Sequence, residues 1–227
     1  MRSSVITSVW VRGWALSRDT PAPVSRPWGY RIDVGSPSHV FRHVLPEPDG
    51  PTVRALCEDV TTPHAWLKML APPEDVARWI TPDWTLPDDP GFMMYTRLHP
   101  SPAPALPDGY GLRSDTRGGV VRVRIHAPDG SLAARGQIAV TGADAVVDQV
   151  ETFPGHQRRG LGTAVMRALE TAGAAAGATR GVLSGTTDGR ALYSALGWRC
   201  QGPLTGVYRT PAEAPAPTNA PPLTPAA

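Results

Sequence analysis

This sequence of 227 residues has few cysteines and no metal-binding motif. Its two cysteines, Cys57 and Cys200, lie far apart, and no C-x-x-C or H-E-x-x-H pattern occurs. His39, His43 and His64 lack the spacing of metal ligands. Because disulfide frameworks need several cysteines, this cysteine content is typical of a reducing compartment. We therefore expect a cytoplasmic protein without a metal site.

Long hydrophobic runs and a strong net charge are also missing. No stretch approaches the ~18 consecutive apolar residues of a membrane span. Arg12 and Arg18 interrupt the first apolar residues, which a signal peptide does not allow. The net charge of +2 is too small to support electrostatic binding of nucleic acid. We expect neither a membrane nor nucleic acid as a partner, and a monomer or homodimer.

Proline divides the chain into three parts. Residues 1–110 hold 17 of the 26 prolines, residues 111–210 hold three, and the last 17 residues hold six. Because proline removes a backbone donor, we expect the densest regular structure in the middle part. The tail, residues 210–227, is rich in proline and alanine and has too few apolar side chains to build a core. We predict that this tail is disordered.

The N-terminal region, residues 1–109, shows both strand and helix patterns. Alternating apolar residues predict strands over residues 5–16, 28–34, 39–45 and 91–98. A helix is predicted from Pro51, because Val53, Leu56, Cys57 and Val60 recur at helical spacing. A second helix is predicted over residues 62–70, where Thr62 suits the N-cap and Pro63 the first helical position. A third is predicted from Pro73, because Glu74 and Asp75 suit the positive end of a helix.

Residues 110–209 have a more regular pattern. The sequence predicts strands over residues 120–125, 132–140, 145–152, 181–184, 198–201 and 206–209. Helices are predicted over residues 161–176 and 188–196. A hairpin followed by alternating strands and helices indicates an α/β (α+β) fold built around one sheet.

The segment Gln157-Arg158-Arg159-Gly160-Leu161-Gly162 lies between a predicted strand and a predicted helix. Glycine lets the backbone approach a ligand closely, and the first amides of a helix point at whatever anion lies there. A dinucleotide-binding loop would need a third small residue, but position 165 is Val. A P-loop would need Gly-Lys-Ser/Thr, and the single lysine is Lys68. The segment therefore predicts a phosphate site of another kind.

This segment resembles the fingerprint of the GNAT superfamily of acetyl-CoA-dependent N-acetyltransferases, in which (Arg/Gln)-x-x-Gly-x-(Gly/Ala) opens a helix. Pro154 has the spacing from this motif that is usual in the family. A second segment, Asp188-Gly-Arg-Ala-Leu-Tyr-Ser-Ala-Leu-Gly-Trp198, resembles the family's downstream signature, with Asp188 in place of an Asn. The resemblance covers about residues 110–209. It implies a mixed, mostly antiparallel sheet flanked by helices.

The resemblance also implies acetyl-CoA as cosubstrate and assigns residues to it. The backbone of Val150, Glu151 and Thr152 would pair with the pantetheine arm like an added strand. The loop and the first helical turn would hold the pyrophosphate, with Asp188 nearer the pantetheine. The loop residues are Gln157, Arg158, Arg159, Gly160, Leu161, Gly162 and Thr163.

Two side chains are candidates for proton transfer. Asp148 is a carboxylate in an otherwise apolar strand, where burial is costly unless the group is paired or functional. The family resemblance makes Asp148 a candidate general base, with a structural salt bridge or an exposed edge position as the alternatives. The same resemblance makes Tyr193 a candidate acid that protonates the departing thiolate.

The resemblance leaves residues 1–109 unassigned. The family usually has two helices between its first two strands, and residues 112–120 leave no room for them. Either the helices around residues 52–80 fill that role, with the first strand at residues 39–45, or residues 1–109 form an α/β extension or a degenerate GNAT-like half.

The implied function is transfer of an acetyl group to a primary amine of a small molecule or peptide by direct attack. Two alternatives stay open. One is a catalytically silent module that binds or senses acyl-CoA, and the other is an acyltransferase with another acyl donor or an oxygen acceptor.

Overall fold

The computed structural model describes residues 2–102 and 105–211, so most of the predicted disordered tail lies outside the described residues. The helices are α1 (Ser3–Arg18), α2 (Gly50–Asp59), α3 (Pro73–Trp79), α4 (Leu161–Ala175) and α5 (Thr187–Ala195). The first six strands are β1 (Val24–Arg26), β2 (Gly29–Ser36), β3 (His39–Leu45), β4 (Trp66–Met69), β5 (Trp84–Thr85) and β6 (Gly91–Arg97). The others are β7 (Gly111–Arg117), β8 (Val120–His126), β9 (Leu132–Thr141), β10 (Asp144–Thr152), β11 (Arg180–Gly185) and β12 (Arg199–Arg209).

These strands form one mixed, mostly antiparallel sheet, as predicted. Its order is β1-β2-β3-β4-β12-β6-β11-β10-β9-β8-β7, with β5 paired to β12 outside this path. The parallel pairs are β3 with β4 and β10 with β11. Each parallel pair is connected through a helix, α2 in the first case and α4 in the second, as parallel connections require.

The element order therefore repeats along the chain. In both parts a hairpin leads into a strand, a helix crosses to a parallel strand, and a second helix follows. The long strand β12 joins the two parts, because its first residues pair with β6 and its last residues pair with β4. Pairing across β12 makes the N-terminal and C-terminal parts share one sheet.

Helix α1 is a correction to the strand predicted over residues 5–16. The β-branched residues of this segment favour a strand, but its buried side chains recur at helical spacing, as at Ile6, Val9, Trp10 and Trp14. These side chains share one cluster with residues of β2 and β3 on one side and β10 and β11 on the other. Because α1 packs against both parts of the sheet, tertiary packing outweighs the local preference for a strand.

The helix predicted over residues 62–70 is also wrong. Residues of β4 alternate in burial, with Leu67 and Met69 fully enclosed. This segment pairs with β3 on one edge and β12 on the other. Hydrogen bonding on both edges favours a strand there, despite the helical preference of Leu, Lys and Met.

Most other predicted elements are confirmed. Strand β3 has the predicted bounds, and the apolar face of α2 is buried through Val53, Leu56 and Cys57. The two strands predicted over residues 198–201 and 206–209 form the single strand β12. No helix within the described residues is long and apolar enough to cross a membrane.

The C-terminal part has its own core on the face of the sheet opposite α1. Helix α4 places Leu161, Val165 and Leu169 against β8, β9 and β10. Ala145 and Val147 of β10 belong to this core, whereas Val146 belongs to the cluster around α1. Strand β10 is therefore buried on both faces, and its side chains alternate between two helices.

We expect acid to destabilise this protein through His43. The ring of His43 is 5% exposed, and its Nδ1 has no hydrogen-bond partner among the described residues. Burial, followed by the charges of Arg31 and Arg26, lowers its pKa to about 4. Below pH ~6.5 the unfolded chain binds a proton that the folded chain does not, so stability is lost as the pH falls toward 4.

Urea unfolding at several pH values between 4 and 8 measures this loss. His43→Phe should reduce the dependence of the unfolding free energy on pH by up to about 1.4 kcal/mol per pH unit between about pH 4 and 6.5, and should leave it unchanged above that range. His99→Phe, at an exposed histidine, is the matched control and should keep the wild-type dependence. Equal slopes in the wild type and His43→Phe would contradict the assignment.

Candidate active site

The two parallel strands of the C-terminal part separate along their length. Strand β10 pairs with β11 from Asp144 to Val147, opposite Arg180 to Leu183. Beyond this point β11 continues to pair with β6, but β10 has no strand partner on that side among the described residues. The backbone of β10 from Asp148 to Thr152 therefore presents an open edge to the space between the strands.

A β-bulge lies at the start of the open edge. The register between β10 and β9 shifts between Asp148 and Glu151, so Gln149 and Val150 have no register partner. Gln149 has a φ of 54°, which is uncommon for a residue other than glycine. A bulge bends its strand and increases the local twist. We attribute the separation of β10 from β11 to this feature.

The separated strands line a cleft of about 720 Å³. The N-terminal ends of α4 and α5 also line it, so unpaired helix amides and an unpaired strand edge face the same space. The lining residues are Val147, Asp148, Gln149, Val150, Glu151, Thr152, Gln157, Arg158, Gly160, Leu161, Gly162, Thr163, Ser184, Gly185, Thr186, Asp188, Gly189, Ala191, Leu192 and Tyr193.

The loop before α4 has the geometry of an anion site. Arg158 and Gly160 both have positive φ values, 61° and 77°. Positive φ at these alternate positions turns successive backbone amides toward one side of the loop. The α4 dipole adds positive potential on that side. A Cβ at Gly160 would meet no protein atom within 4 Å, so the space above this residue is open to a ligand. The Gln157 side chain donates to the Thr152 carbonyl at 3.2 Å and ties the loop to β10.

Asp148 lies on the face of β10 that is covered by α1. Its Oδ2 accepts hydrogen bonds from Arg18 Nε at 2.5 Å and from Ser17 Oγ at 3.0 Å, and its Oδ1 accepts from Arg18 Nη2 at 3.0 Å. The carboxylate is therefore held by the end of the N-terminal helix. A carboxylate has about four acceptor positions, so one remains for a further donor.

Tyr193 closes the cleft from α5. Its side chain is 7% exposed, and a Cβ at Gly185 would lie 2.7 Å from its ring, so glycine is required for this packing. The Tyr193 hydroxyl has no hydrogen-bond partner among the described residues. Burial, with a smaller contribution from the charge of Asp148, raises its pKa to about 12. The phenol therefore keeps its proton at neutral pH.

The structure brings most of the predicted site residues together. Asp148 and Tyr193 line the same cleft, and ten of the eleven predicted cofactor-binding residues line it with them. Arg159 does not line the cleft, and its Nη1 donates to the Tyr110 hydroxyl at 3.3 Å. Glu151 contributes its backbone to the cleft while its carboxylate pairs with Arg135 at 2.8 Å.

Several residues of the site are missing from the sequence prediction. Ser17 and Arg18 reach Asp148 from a helix that the sequence pattern assigns to a strand. Thr186 lines the cleft and caps α5 by accepting from the Gly189 amide at 3.2 Å. The Thr186 cap has a recognisable sequence signal, namely threonine just before a helix, whereas the Ser17 and Arg18 contacts depend on tertiary packing alone.

No cluster of three or more metal-ligating side chains occurs in residues 2–102 and 105–211.

Comparison with known proteins identifies one family. The model of the acetyltransferase (GNAT) family matches residues 74–198, which begin at α3 and end before β12. No curated protein matches the chain.

Solved structures with the same fold cover most of the chain. The GCN5-related N-acetyltransferase from Kribbella flavida has a TM-score of 0.61 at 15% identity and covers 93% of this chain and 96% of its own. A putative acetyltransferase of the GNAT family from Novosphingobium aromaticivorans has a TM-score of 0.53 at 18% identity, with 89% and 98% covered. A tandem GNAT protein from the clavulanic acid biosynthesis pathway has a TM-score of 0.50 at 15% identity, with 65% of each chain covered. At these identities the similarity concerns the fold.

The cleft geometry predicts the effect of changing Gly160. Gly160→Val places a β-branched residue at a φ of 77°, which costs about 1–2 kcal/mol, and its side chain would occupy the open space above the loop. Thermal-shift titration with acetyl-CoA should show stabilisation of the wild type, by about 2.7 kcal/mol at a hundredfold excess over the dissociation constant. The stabilisation should be lost in Gly160→Val.

The matched control is Gly142→Val in the β9–β10 turn. Gly142 has a φ of 66° and open space around it, but it does not line the cleft. This variant should be destabilised by a similar amount and should still bind acetyl-CoA. Normal acetyl-CoA binding by Gly160→Val would contradict the assignment of the loop.

Proposed function

This chain belongs to the GNAT acetyltransferase family, and from that premise we propose that it transfers an acetyl group from acetyl-CoA to a primary amine. The observation that carries the proposal is the open edge of β10 beside the amides at the start of α4. An extended pantetheine arm needs the backbone groups of such an edge, and a pyrophosphate needs the amides. The two features share one cleft, as one elongated ligand requires.

The residues of the cleft suit the parts of acetyl-CoA. Val150, Glu151 and Thr152 would offer amides and carbonyls to the pantetheine arm. The turn from Arg158 to Thr163 would hold the pyrophosphate, with Arg158 adding positive charge. When bound, acetyl-CoA supplies an acetyl group that is already activated as a thioester.

The reaction requires two proton movements. The amine nitrogen forms a bond to the acetyl carbon, the carbon–sulfur bond breaks, the nitrogen loses a proton and the sulfur gains one. Asp148 lines the cleft and has one acceptor position beyond those used by Ser17 and Arg18, so it would take the amine proton directly or through water. Tyr193 holds an unpartnered proton in the same cleft and would give it to the sulfur.

Negative charge that develops on the thioester oxygen needs a fixed donor. The bulge at Gln149 and Val150 leaves backbone groups without a register partner on β9. An amide of this bulge would donate to that oxygen without prior reorganisation, which is the most effective form of electrostatic stabilisation.

We also propose that the C-terminal part alone binds acetyl-CoA, so that the N-terminal part is a degenerate GNAT-like half. In the corresponding turn after β3, Asp49 accepts a hydrogen bond from the Thr52 amide at 2.9 Å and thereby occupies the start of α2. Pro51 removes a further amide from that helix end, and Glu47 adds negative charge. These features disfavour a phosphate at that position.

Incubation of the protein with acetyl-CoA and a panel of primary amines tests the proposed activity. We expect thiol release that depends on the amine and exceeds the release without it. Gly160→Val sets the background, because it should not bind the donor. Binding of acetyl-CoA with no amine-dependent release from any amine would instead favour the catalytically silent module.

Tyr193→Phe should lower kcat by ~10²-fold with little change in acetyl-CoA affinity, which is typical of losing a general acid. Because the Tyr193 pKa is about 12, the phenol is protonated throughout the range from pH 6 to 10, and the loss should be the same at every pH there. Steady-state rates across this range measure both effects.

The matched control is Tyr95→Phe, a half-buried tyrosine on β6 that does not line the cleft. This variant should keep the wild-type kcat. A wild-type kcat in Tyr193→Phe would mean that the sulfur takes its proton from water and that Tyr193 only packs against Gly185.

A further inference from the structure

One buried and one half-buried cation lie in the N-terminal part without an ion-pair partner among the described residues. Arg42 on β3 is 7% exposed and forms no ion pair among the described residues. Its Nε donates to His39 Nε2 at 3.2 Å, and its guanidinium carbon lies 3.7 Å from the ring centroid of Trp14. Lys68 on β4 has its Nζ 4.8 Å from the ring centroid of Trp66 and likewise forms no ion pair there. An unpaired buried charge is costly, so its retention calls for a partner.

The two cations belong to one cluster. His39 connects them, because its ring lies 5.2 Å from that of Trp66 and its Nε2 accepts from Arg42. Burial, followed by the charges of Arg42, Lys68 and Arg18, lowers the pKa of His39 to about 3. The imidazole is therefore neutral at pH 7 and adds no counter-charge. We call Arg42, Lys68 and His39 the basic cluster.

The free nitrogens of the basic cluster are not completely sealed from solvent. Among the described residues, three polar side-chain atoms are completely buried and lack a hydrogen-bond partner. These atoms are Thr7 Oγ1, His43 Nδ1 and Thr81 Oγ1. No nitrogen of Arg42 or Lys68 is among them, although the Lys68 ammonium has no hydrogen bond to a described residue. Gly206 on β12 leaves the room that Lys68 occupies, because a Cβ there would clash with Nζ. A small anion would satisfy both cations.

The basic cluster adjoins the cleft through α1. The guanidinium of Arg18 lies 5.5 Å from the centroid of the same Trp14 ring that contacts Arg42. Arg18 in turn binds Asp148, which lines the cleft. The contacts thus run from Arg42 through Trp14 and Arg18 to the candidate proton acceptor.

This position is on the acceptor side of the cleft. The loop that would hold the pyrophosphate is at the start of α4, which covers one face of β10. Asp148 and the basic cluster are on the side of α1, which covers the other face. An acyl donor and an acceptor must approach the reacting carbon from different sides, so an acceptor amine near Asp148 would extend toward Arg42.

We propose that the acceptor carries a carboxylate in addition to its amine, and that the basic cluster binds this carboxylate. The inference rests on the proposed acetyl transfer. An arginine fork matches a carboxylate with two parallel hydrogen bonds, and the neighbouring ammonium adds a point charge. The basic cluster would orient the acceptor so that its amine lies at the free acceptor position of Asp148.

Matched acceptors test this specificity. We compare 4-aminobutyrate with 4-aminobutyramide, and we compare other amines in the same way, each as a carboxylate and as the matching amide. An aminophosphonate is included to separate carboxylate from phosphonate recognition. The wild type should show a kcat/KM at least ~10-fold higher for the carboxylate of each effective pair, since a site built for a group rejects the analogue that lacks it. Lys68→Met and Arg42→Met should lose this preference through KM while acetyl-CoA affinity is unchanged.

The control variant is Arg31→Met. Arg31 also stacks on an aromatic ring, at 3.9 Å from the centroid of Phe41, but it is paired with Asp33. It should keep the carboxylate preference. If Arg42→Met does not fold, Lys68→Met carries the test alone. Equal kcat/KM for acids and amides, or a preference for the phosphonate, would overturn the carboxylate site while leaving acetyl transfer intact.

A binding measurement keeps the two proposals separate. Titration with 4-acetamidobutyrate should change tryptophan fluorescence saturably, because Trp14 and Trp66 contact the basic cluster, and 4-acetamidobutyramide should not. The saturable change should disappear in Lys68→Met. No response of the wild type would overturn the carboxylate site even if amines are acetylated. A response without turnover of any amine would support the anion site and count against the proposed acetyl transfer.

Discussion

The separation of β10 from β11 after Val147 and Leu183 is the constraint on which the site depends. Up to that point the two strands share hydrogen bonds, and beyond it the bulge at Gln149 turns β10 away. One irregularity thereby creates an open backbone edge, a cleft between two helix ends and a place where a linear ligand can add to the sheet. Continued pairing of the two strands would close the cleft, whatever the loop before α4 contained.

Helix α1 is the second determinant, because it connects the two parts of the molecule at the reacting end of the cleft. Its apolar side chains fill the space between β2 and β3 on one side and β10 and β11 on the other. Near its C-terminal end, Ser17 and Arg18 contact Asp148, and Trp14 contacts Arg42. The N-terminal region thus contributes to the candidate site, although the family model matches only from residue 74 onward.

Local chemistry explains which features could be predicted from the sequence. Gly160 and Gly162 before an apolar helical pattern indicate an anion loop, since the glycine conformation and the helix amides are local properties. The placement of Asp148 and Tyr193 in one cleft follows from the family resemblance. The role of residues 3–18 could not be predicted, because their β-branched residues favour a strand and only burial from two sides selects the helix. Arg42 and Lys68 gave no signal, because the lack of a counter-charge is visible only after folding.

The central claim is that one chain holds one acyl-CoA site, between β10 and β11. Isothermal titration calorimetry of the protein with acetyl-CoA measures the number of sites and the heat-capacity change together. The account predicts one acetyl-CoA per chain and a negative heat-capacity change, as expected when apolar surface is buried on binding. The absence of binding, or two equivalent sites per chain, would contradict it.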